Sequence, residues 1–245
     1  MAAPTVLTNA TIWLGGYDLT ASTNEVTFNA ARQEKPVSRF GDTIEATYPG
    51  AQTVSAEVKG FWDSTLDGPQ FTQLTAPSES WPLTVCPDGG DEGEVQYEIQ
   101  AYSFNYSALE ATWGASLPFR LAAKSKSGGR LDRGLVVLSK GTYALSAVSV
   151  SKHQLGAVSA TQKIKATWHV FAIDGGDWKV WMQSDADAVA GGETTRFSIE
   201  GITTAPGRHT AEFAGPITDT YWQVTLVKDG GTSITCAVTL AIVDA

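Results

Sequence analysis

Charged residues are scarce in this chain of 245 residues. They make up 18 % of it, and Asp and Glu outnumber Lys and Arg by 26 to 17. The shortage of basic residues argues against a surface that grips nucleic acid, because phosphate contacts need Lys and Arg. No apolar run approaches the roughly 20 residues of a membrane-spanning helix, and Met1 is not followed by a basic and apolar secretory signal. We therefore expect no nucleic-acid affinity, no membrane insertion and no export by the usual route.

Histidine and the known catalytic motifs are equally scarce. The three histidines are His153, His169 and His209, and the sequence has no HExxH, GxSxG or phosphate-binding glycine pattern. A catalytic site needs a nucleophile, a base and an orienting group that converge. The histidines are therefore expected to be structural or solvated, and the sequence predicts a protein that is not an enzyme, with no catalytic residues and no cofactor.

Cysteine gives no sign of a metal or redox centre. Cys86 and Cys236 lie far apart without CxxC spacing, and we predict two isolated, partly buried thiols, with a disulfide as the alternative. The acidic loops 88–94 and 185–187 offer the carboxylate oxygens that calcium prefers. Neither has the spacing of an EF-hand, so we predict solvated turns and no metal site, with bound calcium as the alternative.

What the chain does contain is a long series of strand signals. Thr, Ser, Val, Ala and Gly are abundant, and residues 94–104 begin by alternating polar and apolar side chains. Residues 115–123 also read as a strand, with Pro118 tolerated near its start. The only helix predicted in the first half is a short one at residues 69–74, where Phe71 and Leu74 share a face. The predicted fold class is all-β with minor α.

The first half also resembles a known family. Strand signals at 16–19 and 25–28 are followed by Phe40-Gly41-Asp42-Thr43 within 39–45, by Tyr48-Pro49-Gly50, and by an alternating strand that ends in Gly60-Phe61-Trp62-Asp63. This order resembles the tail tube proteins of long-tailed bacteriophages and related phage-like particles. The resemblance covers roughly residues 10 to 125. It implies a tail-tube-like β-sandwich or barrel with one short helix, in a protein whose function is shape and self-association.

A change of composition predicts a domain boundary. Residues 124–130 are small, polar and basic, and an apolar segment follows, so we place the boundary near 133–139. The predicted domains are 1–134, tail-tube-like, and 135–245, a second β-sandwich or jelly-roll-like domain that we expect on the outside. The candidate strands of the second domain are 143–150, 162–173, 178–183, 194–199, 209–214, 221–227 and 233–243.

Two turns of the second domain have strong hairpin signals. Residues 174–177 read Asp-Gly-Gly-Asp, and residues 228–231 read Lys-Asp-Gly-Gly. Asp-Gly pairs accept a positive φ at little steric cost, which is why they are frequent in tight hairpins. Each turn is therefore predicted to join two strands of one sheet.

The long polar segment at about 29–53 is predicted to be a loop with a function, because long unstructured connections usually have one. The resemblance implies that it reaches from one ring of subunits into the next and that its charges set the register of the rings. The inter-ring candidates are Arg32, Glu34, Lys35, Arg39, Asp42 and Glu45. The possible lumen residues are Glu57, Glu94 and Glu98, whose charges would keep DNA off the wall.

The sequence thus predicts a structural virion protein that forms stacked rings, the tail tube through which DNA is delivered. Its partners would be copies of itself and other tail proteins such as the tape measure and the terminator, and DNA would pass without specific binding. The location would be the virion tail, assembled in the host bacterial cytoplasm. The alternative is a virion-surface carbohydrate-binding or receptor-binding module, suggested by eight tryptophans. Trp178 and Trp181, three apart, would face opposite sides of one strand.

Overall fold

The computed structural model describes residues 9–36, 47–61, 80–108, 118–126, 128–148, 151–189 and 191–245. These residues form sixteen strands and one short 3-10 turn, Thr20–Ser22. The strands are β1 Thr11–Leu14, β2 Tyr17–Asp18, β3 Thr23–Pro36, β4 Thr47–Phe61, β5 Trp81–Cys86, β6 Val95–Ala108, β7 Pro118–Ser125, β8 Asp132–Tyr143, β9 Ala147–Val148, β10 His153–Gln154, β11 Gln162–Asp174, β12 Asp177–Asp185, β13 Thr194–Ile202, β14 Gly207–Ala214, β15 Tyr221–Asp229 and β16 Ser233–Asp244. The all-β class is confirmed. The helix predicted at 69–74 lies outside the described residues, among which no helix is long and apolar enough to cross a membrane.

The contacts within the chain define two compact units. Unit 1 comprises Met1–Thr20, Pro82–Glu98 and Asp132–Ala245, and unit 2 comprises Ala21–Trp81 and Ile99–Leu131. The predicted boundary at 133–139 falls inside β8, a continuous strand. The contacts therefore group the N-terminal strands β1, β2 and β5 with the C-terminal half. The division into domains 1–134 and 135–245 stays a prediction.

Unit 1 is a sandwich of two sheets. One sheet has the order β14-β11-β16-β8-β6-β5-β1-β2, in which β6 contributes its first residues, and the other has the order β10-β15-β12-β13, with β9 also paired to β15. Between them lies an apolar core in which Trp168, Trp178 and Trp222 are fully buried. The six strands predicted from residue 162 onward correspond to β11–β16. The strand predicted at 143–150 is wrong for residues 144–146, which separate the end of β8 at Tyr143 from β9, and residues 149–150 lie outside the described residues.

The two glycine-rich turns do not close hairpins. The turn at 174–177 connects β11 to β12 and the turn at 228–231 connects β15 to β16, and in both cases the two strands belong to different sheets. The turns run side by side, and Thr232 N donates to Asp174 O at 2.7 Å. Positive φ at Gly175 (69°) and Gly230 (97°) lets the chain bend sharply. The residue types indicated a tight bend correctly, but whether a bend stays in one sheet depends on the packing of distant strands.

Unit 2 contains the antiparallel strands β3, β4 and β7, with the rest of β6 beside β7. Alternate residues of β4 and β7 point into an apolar layer, among them Val54, Val58, Leu121 and Ala123, which are all buried. The opposite face of the same strands is polar and partly exposed. This period of two follows from the alternation of side chains along a strand.

The long polar segment is mainly a β-hairpin, so the prediction of a loop at 29–53 is wrong for residues 29–36 and 47–53. The register of β3 on β4 continues to the pair Pro36 and Thr47, with irregularities between Thr23 and Glu25 and between Arg32 and Glu34. Strand pairing satisfies the backbone groups of this polar segment without any need for a core. The segment is therefore polar because its strands are exposed, and not because it lacks strands.

Both cysteines are free and fully buried, Cys86 in unit 1 on β5 and Cys236 in unit 1 on β16. Burial raises the pKa of each thiol to about 12. The predicted isolated thiols are confirmed, although they are more deeply buried than expected.

Candidate functional site

The most exposed strand of unit 2 is β3, which lies at an edge of the sheet. Among the described strands, β3 pairs with β4 alone. The side chains of residues 29–32 alternate between the two faces of the strand, and all four residues are exposed, so neither face is covered there. Val26 and Phe28, earlier on the strand, are half-buried. A long edge strand offers a row of backbone donors and acceptors to a further strand. This hairpin is the candidate assembly surface.

The predicted inter-ring residues lie on or beyond this hairpin. Arg32 is exposed on β3, opposite Gln52 on β4. Glu34 and Lys35 follow on the same strand, opposite Pro49 and Tyr48. Arg39, Asp42 and Glu45 lie outside the described residues. The structure thus brings three of the six predicted charges onto one strand of the hairpin.

The polar face of unit 2 has its charges arranged in ion pairs. Glu57 on β4 accepts a hydrogen bond from Arg120 of β7 at 2.7 Å and lies 3.3 Å from Lys59, and Lys59 pairs with Glu25 of β3 at 2.7 Å. The hydrogen bond from Arg120, followed by that from Lys59, holds the pKa of Glu57 below its ordinary value. Glu25 and Glu57 face the cations Lys59, Arg120 and, beside them, Lys124. This face is therefore not the acidic wall that was expected, because its carboxylates are neutralised.

The other two predicted lumen residues belong to unit 1 and have structural roles. Glu94 is half-buried, and its carboxylate accepts hydrogen bonds from the backbone N–H groups of Gly90 at 2.7 Å and Asp91 at 3.0 Å. It therefore fixes the preceding acidic turn. Glu98 is only 1 % exposed. The prediction that Glu98 lines a channel is wrong, because a buried carboxylate cannot face a water-filled conduit.

Glu98 instead belongs to a buried ionic cluster. Its Oε1 lies 2.7 Å from Lys165 Nζ, which also contacts Asp132 Oδ2 at 2.6 Å, and Thr167 donates to Glu98 at 2.9 Å. Burial raises the pKa of Glu98, but Lys165 and then His169 more than offset this, so its net pKa is lowered. Burial likewise lowers the pKa of Lys165, and Glu98 and Asp132 outweigh it to give a raised pKa. The ammonium of Lys165 thus bridges the two buried carboxylates.

His169 completes the cluster and has no catalytic partner arrangement. Its Nδ1 donates to the carbonyl of Gly15 at 2.5 Å, and its Nε2 lies 3.0 Å from the hydroxyl of Thr84. Burial lowers the pKa of His169 against the opposing effect of Glu98. The prediction of a satisfied structural histidine agrees with this geometry.

The sequence contained a signal for the cluster that the prediction did not use. Lys165, Thr167 and His169 alternate with Ile164, Ala166 and Trp168 along β11, which normally indicates one exposed face. Here both faces are buried. The polar residues at every second position of β11 therefore face a buried polar cluster and not solvent.

The acidic loops considered for calcium use their carboxylates within the chain. Asp185 pairs with Lys152, whose ammonium also lies 3.0 Å from Glu193. The hydrogen bond from Lys152 is the largest of the influences that lower the pKa of Asp185. In the part of the chain that the structure describes, no group of three or more His, Cys, Asp or Glu side chains is placed to hold a metal ion.

Comparisons with known proteins give structural likenesses alone. No protein-family model matches the chain, and no curated protein matches it. A chain from the virion of a native gene transfer agent particle has 16 % identity and a TM-score of 0.38, with 52 % of this chain and 98 % of that chain covered. A chain of the cap that terminates the tube of the anti-feeding prophage has 11 % identity, a TM-score of 0.38 and coverage of 55 % and 93 %. The SPP1 Dit protein, a hub component of phages that infect Gram-positive bacteria, has 10 % identity, a TM-score of 0.31 and coverage of 95 % and 98 %. At these TM-scores the likenesses assign neither a fold family nor a function.

Proposed function

We propose that this protein is a structural, non-enzymatic subunit of a phage-like tail that assembles with copies of itself into stacked rings, forming a tube for DNA. The observation that supports this most directly is the long edge hairpin of β3 and β4, exposed on both faces from residue 29 to residue 32. It agrees with the resemblance of residues 10–125 to tail tube proteins. In this proposal the protein resides in the virion tail, is assembled in the host cytoplasm, and contacts other tail proteins such as the tape measure and the terminator.

The hairpin suits subunit association for a physical reason. Among the described strands, this 14-residue edge strand pairs on one side only, so its other side offers backbone donors and acceptors to another chain. Its two register irregularities, between Thr23 and Glu25 and between Arg32 and Glu34, bound a regular stretch, which is the part proposed to pair. A ring in which β3 of one subunit meets a strand of the next would pair these groups and cover the half-buried Val26 and Phe28.

The polar face of unit 2 suits the wall of a conduit. Thr27, Asn29, Ser55 and Ala122 present small side chains between the ion pairs of Glu57 with Lys59 and Arg120. A surface with small, uncharged groups and internally neutralised charges gives a polyanion neither strong attraction nor strong repulsion. In this proposal DNA slides past the wall because its phosphates meet few unpaired cations.

The test is a shortened hairpin. Arg32 and Gln52 are register partners, so residues 33–51 can be replaced by Asn-Gly, which closes a two-residue hairpin at that pair. We expect the wild-type protein to form rings or tubes at high concentration in mass photometry and negative-stain microscopy. Because residues 23–32 of the edge are retained, the shortened protein should still form rings but should not stack them into tubes, with a nearly unchanged melting temperature.

The matched control is Leu145→Ser, which alters an exposed residue of unit 1 and should assemble as the wild type does. Wild-type protein that stays monomeric over a wide range of salt and concentration would overturn the proposal. Tubes that form equally well in the shortened protein would remove residues 33–51 from the contact between rings.

A further inference from the structure

Trp181 is exposed on the outer face of the five-stranded sheet of unit 1. It is 37 % exposed, whereas the other tryptophans that the structure describes, Trp13, Trp81, Trp168, Trp178 and Trp222, are buried. Its strand β12 lies between β15 and β13, so the ring is on the broad face of the sheet and not at an edge. The prediction that Trp178 and Trp181 face opposite sides is confirmed. An indole left in water forgoes a large burial energy, and exposed Trp is typical of binding surfaces.

Hydrogen-bonding side chains surround the ring and are held in place. In the register of the sheet, Trp181 is flanked by Thr225 on β15 and Ser198 on β13. The Gln183 amide oxygen, on the same face, accepts hydrogen bonds from Thr225 Oγ1 at 2.7 Å and Gln223 Nε2 at 3.1 Å. The Gln183 amide nitrogen donates to Thr195 at 3.3 Å. A network that is ordered before the ligand arrives reduces the entropy cost of binding.

The surroundings of Trp181 select the kind of ligand. The four other large hydrophobic side chains that are exposed in the described residues, Phe61, Leu145, Val189 and Phe213, lie outside β12, β13 and β15. One isolated indole provides too little apolar area to form the core of a protein interface, because such cores usually contain several neighbouring apolar side chains. Two charged groups lie nearby and both have partners: Lys179 on the same face pairs with Asp229 at 3.3 Å, and Glu200 accepts a hydrogen bond from Ser198 Oγ at 2.9 Å. The patch thus fits a small, neutral ligand with one apolar face and a rim of hydroxyl groups.

We propose that this face of unit 1 binds a neutral pyranose ring of a glycan, stacked on Trp181. The apolar C–H face of the sugar covers the indole, and its hydroxyls exchange hydrogen bonds with Thr225, Gln223 and Ser198. Hydroxyl and amide groups can both donate and accept, so they match the mixed character of sugar hydroxyls. The inference concerns only unit 1 and does not depend on ring assembly.

The test uses the full-length protein on an array of neutral hexose and N-acetylhexosamine oligosaccharides, followed by calorimetric titration of the strongest oligosaccharide. We expect Trp181→Ala to weaken binding by about tenfold or more, and Trp181→Tyr, which keeps an aromatic face, to retain most of it. Phe213→Ala is the matched control, since Phe213 is a similarly exposed aromatic residue (38 %) on β14. Ligand should also shift the Trp fluorescence of the wild type but not that of Trp181→Ala.

An array without signal for the folded wild-type protein would overturn the inference. So would a bound oligosaccharide whose affinity is the same for the wild type and Trp181→Ala. If Trp181→Ala instead abolishes self-association and leaves no glycan signal to compare, the face is a protein interface and the inference is wrong. Circular dichroism of each variant establishes that the sheet is intact before binding is compared.

Discussion

The ammonium of Lys165 lies 2.7 Å from a carboxylate oxygen of Glu98 in the interior of unit 1, where the two side chains are only 4 % and 2 % exposed. Each charge is tolerable there only because the other is present, together with Asp132 on the same ammonium. Removal of one partner leaves an uncompensated buried charge, which is far more harmful than loss of a surface pair.

Lys165→Met should therefore lower the free energy of unfolding by about 3–5 kcal/mol. Lys163→Met is the matched control on the same strand, because Lys163 pairs with Glu212 at 3.2 Å and both side chains are more than a third exposed. That control should cost less than about 1 kcal/mol. Urea unfolding of the two variants measures the difference. Equal losses would mean that Glu98 and Asp132 are neutral or hydrated in the folded protein.

The same cluster predicts a loss of stability in acid. The pKa of His169 is lowered from 6.5 by burial, so the unfolded chain takes up this proton more readily and stability should fall as the pH drops below about 6.5. The net pKa of Glu98 is also lowered, from 4.5, since Lys165 outweighs the effect of burial. Its contribution is present above pH 4.5 and is lost as the pH falls through its folded pKa. Both groups thus favour the folded state at neutral pH.

The measurement is denaturant unfolding as a function of pH for the wild type and His169→Gln. His153 and His209 also have pKa values lowered by burial, so the variant should reduce the slope near pH 6 without removing it. The slope below pH 4.5 should persist, because Glu98 and other carboxylates with lowered pKa values, such as Asp18 and Asp219, are unchanged in the variant. A wild-type protein that gains stability between pH 7 and pH 5.5 would contradict the assignment of a neutral buried His169.

Local patterns in the sequence predicted the strands well where one face is buried. Trp178 and Trp181 were placed on opposite faces of β12 from their spacing alone, and β11–β16 follow from alternation. The hairpin residues around Arg32 were misjudged because a strand exposed on both faces has no apolar period. Glu98 was misjudged because Lys165 is distant in sequence, and no local pattern shows that the two meet.

Proteolysis distinguishes the contact-based units from a linear division of the chain. Lys126 is exposed in the short connection between β7 and β8, and we expect trypsin to cut there before it cuts at Lys163 or Lys165 in β11. Within unit 1, Val95 and Glu98 pair in register with strand β8. The two fragments should therefore remain together in native gel filtration and separate only in denaturant. Fragments that separate under native conditions would favour independent domains 1–134 and 135–245.

The ion pairs on the polar face of unit 2 predict a gain of DNA binding when they are broken. Glu25 and Glu57 neutralise Lys59 and Arg120 at 2.7 Å each, so the wild-type subunit should show no measurable affinity for double-stranded DNA at about 150 mM salt. The double variant Glu25→Gln, Glu57→Gln removes the two carboxylates that pair with Lys59 and Arg120 on the face that also carries Lys124. This double variant should bind double-stranded DNA at about 50 mM salt, with an affinity that falls steeply as salt is added. The matched control is Asp88→Asn, Glu200→Gln, which removes the same charge from exposed residues of unit 1 and should not bind. Fluorescence anisotropy with labelled DNA measures all three proteins. If the control gains as much affinity as the double variant, net charge alone accounts for the effect and the paired face has no special part in keeping DNA unbound.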